Sequence, residues 1–394
     1  MAKKTNIYEQ SALLHEELSG KLEVRSKRPV KTREALSLMY TPGVAEPCRR
    51  IAKNLDDVYK YTWKRNSILV VSDGSAVLGL GDIGPYAALP VMEGKAVLFK
   101  EFGGINAVPM CLDTKDPAEI IQAIKWMAPG YGGVNIEDIK APKCVLIENE
   151  LQELGIPVFH DDQHGTAIVV AAGLINAVKV VGKKISDLTV VVSGAGAAGS
   201  AIIKMLKRLG VREIYAFWEK GIITAKKKDT YDFLNKELSE ITNLYEEDFT
   251  MEEAMEDADV FIGVSVPNRI TPEMVASMAD DPIVFAMANP VPEIGYYEGK
   301  AAGARIMATG RSDFPNQVNN VLAFPGIFRG TADSGAKRVT PEMEMAAVYA
   351  LAELIPDEEL SEEKILPEAS DERISPAVAA AVAQMARKQK IARF

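Results

Sequence analysis

The fold of this chain is decided by the stretch Thr189-Val190-Val191-Val192-Ser193-Gly194-Ala195-Gly196-Ala197-Ala198-Gly199-Ser200. A β-branched strand runs directly into the pattern Gly-x-Gly-x-x-Gly, and an amphipathic helix and a second apolar strand follow. In this setting the glycines permit a tight turn and a close approach of a pyrophosphate, which the helix N-terminus receives. We therefore predict a Rossmann-like dinucleotide-binding domain, with cofactor contacts from Gly194, Gly196, Ala197, Ala198 and Gly199.

Three later apolar segments continue this domain, at residues 259–264, 282–290 and 305–310. They predict the second half of a doubly wound sheet, and a helical tail begins near Thr340. Strand C-termini in such sheets face the ligand crevice. Asn289, at the end of its strand, is therefore a candidate contact for substrate or nicotinamide.

An acidic residue beyond the glycines bears on the choice between NAD and NADP. Glu219 lies at about the twenty-residue distance at which a carboxylate binds the ribose hydroxyls of NAD. Lys220 and the run Lys226-Lys227-Lys228 are a counterweight that would suit NADP, or else they form a solvated surface. NAD is the first expectation, and NADP stays open.

The first half of the chain alternates strands and helices, which predicts a mainly parallel sheet over residues 67–160. Two of its strands end in adjacent acids, Glu137-Asp138 and Asp161-Asp162. Oxygen ligands from two such loops suit Mg²⁺ or Mn²⁺. The alternative is a helix N-cap with a solvated neighbour. His160 and His164 flank the second pair, but two acidic loops point to an all-oxygen site without them.

Two further residues are candidates for proton transfer. Residues 90–99 read as an apolar strand with Lys95 at its edge, and a lysine among buried apolar residues can act as a base. The alternative is a lysine that extends its ammonium to solvent. Tyr40 lies at the start of a turn that contains Pro42-Gly43, where its phenol can act as a proton donor. The alternative is an ordinary tyrosine at a domain rim.

The length, net charge and cysteine content of the chain limit the class of protein. A chain of 394 residues predicts two domains, here 1–160 and 161–394. The net charge of −10 argues against a partner nucleic acid. Three scattered cysteines indicate a reducing cytoplasm. The longest apolar run, residues 167–181, contains Asn176 and Lys179 and is too short to span a bilayer, so no membrane partner is expected.

The chain resembles the malic enzymes of the short bacterial type over nearly its whole length. The matching stretches, in the family's order, are Tyr40-Thr41-Pro42-Gly43-Val44-Ala45, Gly79-Leu80-Gly81-Asp82, Glu93-Gly94-Lys95, Glu137-Asp138, Asp161-Asp162 before Gly165-Thr166-Ala167, the glycine loop, Asn289-Pro290 and Asn319-Asn320. The resemblance implies an α/β substrate and metal domain followed by the Rossmann-like domain. It also implies oxidative decarboxylation of L-malate to pyruvate and CO₂ with reduction of NAD or NADP, by a homodimer.

The resemblance assigns roles to individual residues. Glu137, Asp138 and Asp162 bind the divalent metal. Lys95 is the general base and contacts the substrate, Asp161 assists it, and Tyr40 is the general acid. Asn289 and Asn320 contact the substrate, and Thr166, at the start of the helix that leads into the second domain, joins the cofactor contacts.

Two departures from the family pattern set questions for the structure. Residues 73–77 lack the arginine that larger members use for a substrate carboxylate, and Trp218 stands where related chains carry an aspartate. Two other readings compete: a metal-independent amino-acid dehydrogenase and a non-enzymatic NAD-sensing protein. The first needs no metal, and the second leaves the acidic cluster unexplained.

Overall fold

The structure, a computed structural model, describes residues 6–77 and 79–394. Its first sheet has four parallel strands in the order β2-β1-β3-β4. The strands are β1 (Ser67–Ser72), β2 (Asn106–Cys111), β3 (Val134–Ile136) and β4 (Val158–His160). The predicted parallel sheet in this half of the chain is therefore confirmed.

The register of this sheet brings the two acidic pairs together. Ile136 at the end of β3 pairs with His160 at the end of β4. The next two residues on each strand, Glu137-Asp138 and Asp161-Asp162, therefore leave the same edge of the sheet at the same level. Parallel pairing alone makes the acids neighbours.

The second sheet has six strands in the order β10-β9-β8-β5-β6-β7. They are β5 (Thr189–Ser193), β6 (Glu213–Trp218), β7 (Gly221–Ile222), β8 (Val260–Gly263), β9 (Ile283–Ala286) and β10 (Ile306–Thr309). All neighbours are parallel except the short edge strand β7. Strand order reverses between β5 and β8, so the ligand crevice of this doubly wound sheet lies at their C-terminal ends.

Helices cover both sheets. Those of the first half are α1 (Ile7–Leu18), α2 (Arg33–Met39), α3 (Ala45–Lys53), α4 (Val58–Tyr61), α5 (Gly84–Gly103), α6 (Pro117–Met127) and α7 (Lys143–Leu151). Those of the second half are α8 (Thr166–Val181), α9 (Ala197–Leu209), α10 (Phe233–Leu238), α11 (Met251–Met255), α12 (Pro272–Ala276), α13 (Tyr296–Ala301), α14 (Phe324–Ser334), α15 (Pro341–Ala352) and α16 (Ile374–Lys388). The last two form the helical tail that was predicted to begin near Thr340.

The strand predicted around Lys95 is wrong. Lys95 lies within α5, a helix of 20 residues that begins with Gly84-Pro85 and packs on β1 and β2. Only six of its 20 residues are buried, but apolar residues also occur on its exposed side, such as Val91, so the segment 90–99 shows no clear helical period in sequence. A short apolar run of that kind does not distinguish a strand from a buried helix.

Helix α8 is the central element of the core. Eleven of its 16 residues are buried. Together with the single turn of π-helix before it (Asp161–Gly165), it is long and apolar enough to cross a membrane by composition, but 67% of the relevant window is buried inside the protein. The core around α8 continues from β1 and α5 to β5 and α14. The domain division at residue 160 therefore stays a prediction.

Asn176 supports a prediction about stability. This fully buried residue of α8 donates from Nδ2 to the backbone oxygens of Ala352 and Ile365, each at 3.0 Å. Substitution Asn176→Leu leaves both carbonyls without this donor, and we expect it to lower the free energy of unfolding by about 2–4 kcal/mol. Urea unfolding should show the loss.

A matched control lies one turn away on the same helix. Lys179 pairs with Asp357 at 2.8 Å, but both side chains are largely solvent-exposed. Lys179→Ala should therefore change stability by less than about 1 kcal/mol. Equal effects of the two substitutions would contradict the role given to Asn176.

Candidate active site

A cleft of about 650 Å³ lies between the C-terminal ends of the two sheets. Seven of the fifteen predicted site residues line it. They are Asp138, Asp162, Thr166, Ala197, Ala198, Asn289 and Asn320. Asn319, which was not assigned a role, lines it as well. The structure thus brings the acidic pairs, the glycine loop and the candidate substrate amides to one place.

Three carboxylates converge at one end of this cleft. One oxygen from each of Glu137, Asp138 and Asp162 lies within 4.8 Å of the others. Asp138 has a left-handed backbone (φ 51°), and its N–H donates to Asp162 Oδ2 at 3.1 Å. Burial raises the pKa of both Glu137 and Asp162. Crowded, desolvated oxygens of this kind are the donor set that a hard divalent cation stabilises.

Lys95 is the positive charge among these acids. Its side chain is 8% exposed, and Nζ lies 2.6 Å from Asp161 Oδ2 and 2.8 Å from Glu137 Oε1. Burial alone would lower the Lys95 pKa, but the neighbouring carboxylates outweigh it and raise the pKa. The ring of Phe324, at the start of α14, lies 4.2 Å from Nζ. Lys95 is therefore a buried lysine with acidic partners, and it lies beside Asp161. Its role as general base stays a prediction.

Asp161 is held in an unusual environment. Its side chain is completely buried, and burial raises its pKa well above the ordinary value despite the attraction of Lys95. Oδ1 has no hydrogen-bond partner among the described residues. A Cβ at Gly165 would lie 1.9 Å from this oxygen, so the π-helical turn requires glycine there.

The two histidines do not join the carboxylate cluster. His160 Nδ1 accepts from the Gln163 amide at 2.8 Å, which places the proton of the neutral ring on Nε2, 3.6 Å from Asp162 Oδ2. Burial lowers the His160 pKa to about 4. At 3.6 Å this separation is longer than a hydrogen bond, and Nε2 has no hydrogen-bond partner among the described residues.

His164 instead joins α7 to α15. Its two ring nitrogens each lie 2.9 Å from a carboxylate oxygen, one of Glu148 and one of Glu344. Burial alone would lower the His164 pKa, but these two acids raise it well above the ordinary value. Sequence reasoning missed this network, because Glu344 is distant in the chain and follows no recognisable motif.

The glycine loop is shaped for a phosphate. Gly194 has φ 106°, and a Cβ there would lie 2.7 Å from the Val264 carbonyl oxygen at the end of β8. A Cβ at Gly196 would meet nothing within 4 Å, so the approach to the N-terminus of α9 is open. A second cavity of about 520 Å³ begins at this loop, and Ala141 and Ser265 line both cavities. Together they form one track for an extended dinucleotide.

The far end of this track carries charges of both signs. Glu219 lines it, as predicted, and so do Asp232 and Arg269, which the sequence analysis missed. The lysine run nearby is engaged elsewhere: Lys226 Nζ donates to the Glu246 carbonyl, Lys227 pairs with Asp248, and Lys228 pairs with Glu240. Lys220 Nζ lies 5.0 Å from the centre of the Trp218 ring. The solvated-surface alternative therefore describes the lysine run.

Tyr40 does not line the cleft. It is 66% exposed and follows α2, in a region where α1, α2 and α3 bury none of their residues. Its expected role as general acid stays a prediction.

Comparison with known proteins places this arrangement in a family. Residues 19–152 match the model of the malic enzyme N-terminal domain, and residues 163–387 match that of the malic enzyme NAD-binding domain. This chain belongs to the malic enzyme family.

Individual malic enzymes are similar over almost the full length. The bifunctional malic/malolactic enzyme of Bacillus subtilis strain 168 is 53% identical, covering 99% of this chain and 95% of the relative. The NAD-dependent malic enzyme of Geobacillus stearothermophilus is 51% identical, covering 99% and 81%. The crystal structure of malic enzyme from Pyrococcus horikoshii Ot3 superposes with a TM-score of 0.94 at 47% identity, covering 99% and 92%.

The buried histidine of this malic enzyme gives a pH prediction. Because the folded state keeps His160 neutral down to about pH 4, the unfolded chain binds a proton first as the pH falls below about 6.5. Stability is therefore lost over this window, by about 3 kcal/mol for this group. His160→Gln should flatten the corresponding part of the pH profile in chemical unfolding.

A profile of His160→Gln that parallels wild type from about pH 6.5 to 4 would refute the assignment to His160.

Proposed function

We propose that this protein oxidises L-malate at C2 and decarboxylates the product to pyruvate and CO₂, with reduction of NAD or NADP and with a divalent metal held by Glu137, Asp138 and Asp162. The observation that carries this proposal is the convergence of three carboxylates at the cleft that Ala197 and Ala198 of the glycine loop also line, with the buried Lys95 directly behind them against Glu137. An amino-acid dehydrogenase needs no such carboxylate cluster. An NAD-sensing protein needs neither the cluster nor the lysine.

The donor set fits Mg²⁺ or Mn²⁺. All three groups are carboxylates, they meet at the rim of a cleft that leaves room for substrate, and Asn135 Nδ2 orients Glu137 through a 2.7 Å hydrogen bond. A divalent cation bound there supplies positive charge that polarises the C2 hydroxyl of malate and offsets the carboxylates that raise the Lys95 pKa.

Lys95 is suited to take the proton of the C2 hydroxyl. Its amine lies between Glu137 and Asp161, and Asp161 is placed to hold the ammonium that results. The nicotinamide accepts the hydride that leaves C2. When the C3–C4 bond breaks, CO₂ departs and C3 requires a proton, which is the step assigned to Tyr40.

The cleft contains amide side chains that could bind the substrate carboxylates in place of the arginine of larger family members. No lysine or arginine of the described chain lines the cleft, whereas Asn289, Asn319 and Asn320 do. We propose that Asn289 and Asn320 hold the substrate carboxylates by neutral hydrogen bonds. A carboxylate that is to leave as CO₂ must give up its charge, and neutral donors oppose that loss less than an ion pair does.

We infer a preference for NAD from the two carboxylates at the far end of the dinucleotide track. Glu219 and Asp232 outnumber Arg269, the one cation among the residues that line this cavity in the described chain, and the nearby lysine run is tied to surface acids. A 2′-phosphate would meet a net negative charge there, while ribose hydroxyls would find acceptors.

We also propose that the protein is a cytoplasmic homodimer in which each subunit gives Tyr40 to the cleft of its partner. The N-terminal helices expose many large apolar side chains, among them Leu13 (58%), Leu38 (70%) and Tyr40 (66%). Exposed apolar surface of this extent is typical of an interface between subunits. A second copy would cover these residues and would supply the phenol that the chain's own cleft lacks.

Metal dependence gives the first test. Wild-type protein should reduce NAD in the presence of L-malate and Mn²⁺, and EDTA should abolish the reaction. Asp138→Asn keeps a side chain that tolerates the left-handed backbone but removes a charged donor, so the Mn²⁺ concentration for half-maximal activity should rise by at least about 100-fold.

Asp113 is the control for this substitution. It is an exposed acid that follows β2 at the same sheet edge, so Asp113→Asn should retain the wild-type response to Mn²⁺. Malate turnover that survives EDTA would rule out the metal site, and preference for an amino acid would favour the dehydrogenase reading.

The shared site gives the second test. Lys95→Ala and Tyr40→Phe should each lower kcat by about 100-fold or more as pure dimers. After the two variants are unfolded and refolded together, mixed dimers contain one cleft with both residues intact, which should restore about one quarter of wild-type activity.

A cis arrangement predicts the opposite result. If Tyr40 served its own chain, every cleft in the mixed dimer would lack one of the two residues and no activity would return. Each variant refolded alone controls for gain of activity on refolding.

A further inference from the structure

A cavity of about 400 Å³ lies apart from the active-site cleft, beside the first strand of the N-terminal sheet. Four cationic side chains line it: Lys27, Lys60, Arg65 and Arg329. No carboxylate residue is among its lining residues in the described chain. This is unusual in a protein of net charge −10, whose surface lysines are otherwise often paired with acids.

Three of these cations have no acidic partner. Among residues 6–77 and 79–394, Lys27 forms no ion pair, Lys60 lies over the Tyr61 ring at 5.2 Å, and Arg65 lies over the Phe394 ring at 4.5 Å. Like charges that line one cavity repel one another, and an anion between them would remove that repulsion.

Arg329 is the anchored member of the group. Its guanidinium donates to Asn66 Oδ1 and to Asp333 Oδ1, each at 2.6 Å, and Nε has no partner. Asp333 is the single carboxylate bonded to any of the four cations in the described chain, so the cavity keeps an excess of positive charge. A guanidinium fixed in this way is pre-organised to bind a carboxylate or phosphate.

The cavity also contains neutral polar and aromatic groups. Asn66 and Asn106 line it together with Trp63, whose ring packs against Tyr131 at 5.6 Å. Its volume suits a small molecule. We propose that this cavity is a binding site for a compact anion with at least two negative charges, either a polycarboxylate or a phosphoryl compound. None of its described lining residues is a carboxylate, so it lacks the cluster proposed for catalysis and its ligand would bind without reacting there.

The test uses the full-length protein without metal, malate or nucleotide, at constant ionic strength. Citrate and pyrophosphate are titrated separately, with binding followed by calorimetry and by tryptophan fluorescence. We expect saturable binding of at least one probe, and the probe that binds identifies the class of anion. Trp63→Phe should remove the fluorescence change, while Trp126→Phe, at an exposed tryptophan elsewhere, should retain it.

Charge removal decides whether this cavity is the site. The double substitution Lys27→Gln/Arg65→Gln should weaken binding by about tenfold or more, because two of the four cations are lost. Lys125→Gln, at an exposed lysine of α6, should bind like wild type.

Unchanged malate turnover of the double variant without the anion shows that it is folded. Equal affinity of wild type and double variant, or no binding of either probe, would overturn the proposal. Because binding is measured without substrate, failure here leaves the proposed reaction untouched.

Discussion

The structure depends on one buried charge arrangement: Lys95 between Glu137 and Asp161, with Asp162 and Asp138 beside them. Four carboxylates cannot share a desolvated site with one ammonium without a large electrostatic cost. The raised pKa values of Glu137, Asp161 and Asp162 report that cost. The arrangement makes physical sense as one half of a site that a divalent cation completes, and the rest of the fold supplies rigid supports for it.

Those supports come from both halves of the chain. The register of β3 and β4 sets the acids side by side, and α5 carries Lys95 across them. Behind Asp162, His160 and Gln163 connect to Glu148, and His164 links Glu148 to Glu344 on α15. Phe324 on α14 closes the other side of Lys95. The acids are thus supported by elements that flank the dinucleotide track, so the proposed metal site and the track are held by the same core.

Sequence reasoning succeeded where chemistry is local in the chain. A few neighbouring residues are enough to recognise the glycine loop, the acids at two strand ends and Asn289. The geometry of parallel sheets then predicts that they lie close together. It failed for the segment around Lys95, because exposed apolar residues on α5, such as Val91, obscure the helical period of its buried face. It also missed Asp232, Glu344 and Phe324, which approach the site only through tertiary packing. The lysine run 226–228 was left open because pairing with Glu240, Glu246 and Asp248 is invisible in sequence.

The distance of Tyr40 from the cleft and the exposed apolar surface of the N-terminal helices can be explained together. The N-terminal helices bury nothing within the chain, although their exposed leucines and tyrosines have the composition of a core. Helices that bury no apolar face gain little stability from their own propensity, and the proposed second subunit would supply the burial. The proposed mechanism also requires a proton at C3, and no tyrosine of the described chain lines the cleft. The proposed symmetric dimer would meet both requirements with the same contact, because the surface that needs covering is the surface that carries the Tyr40 phenol.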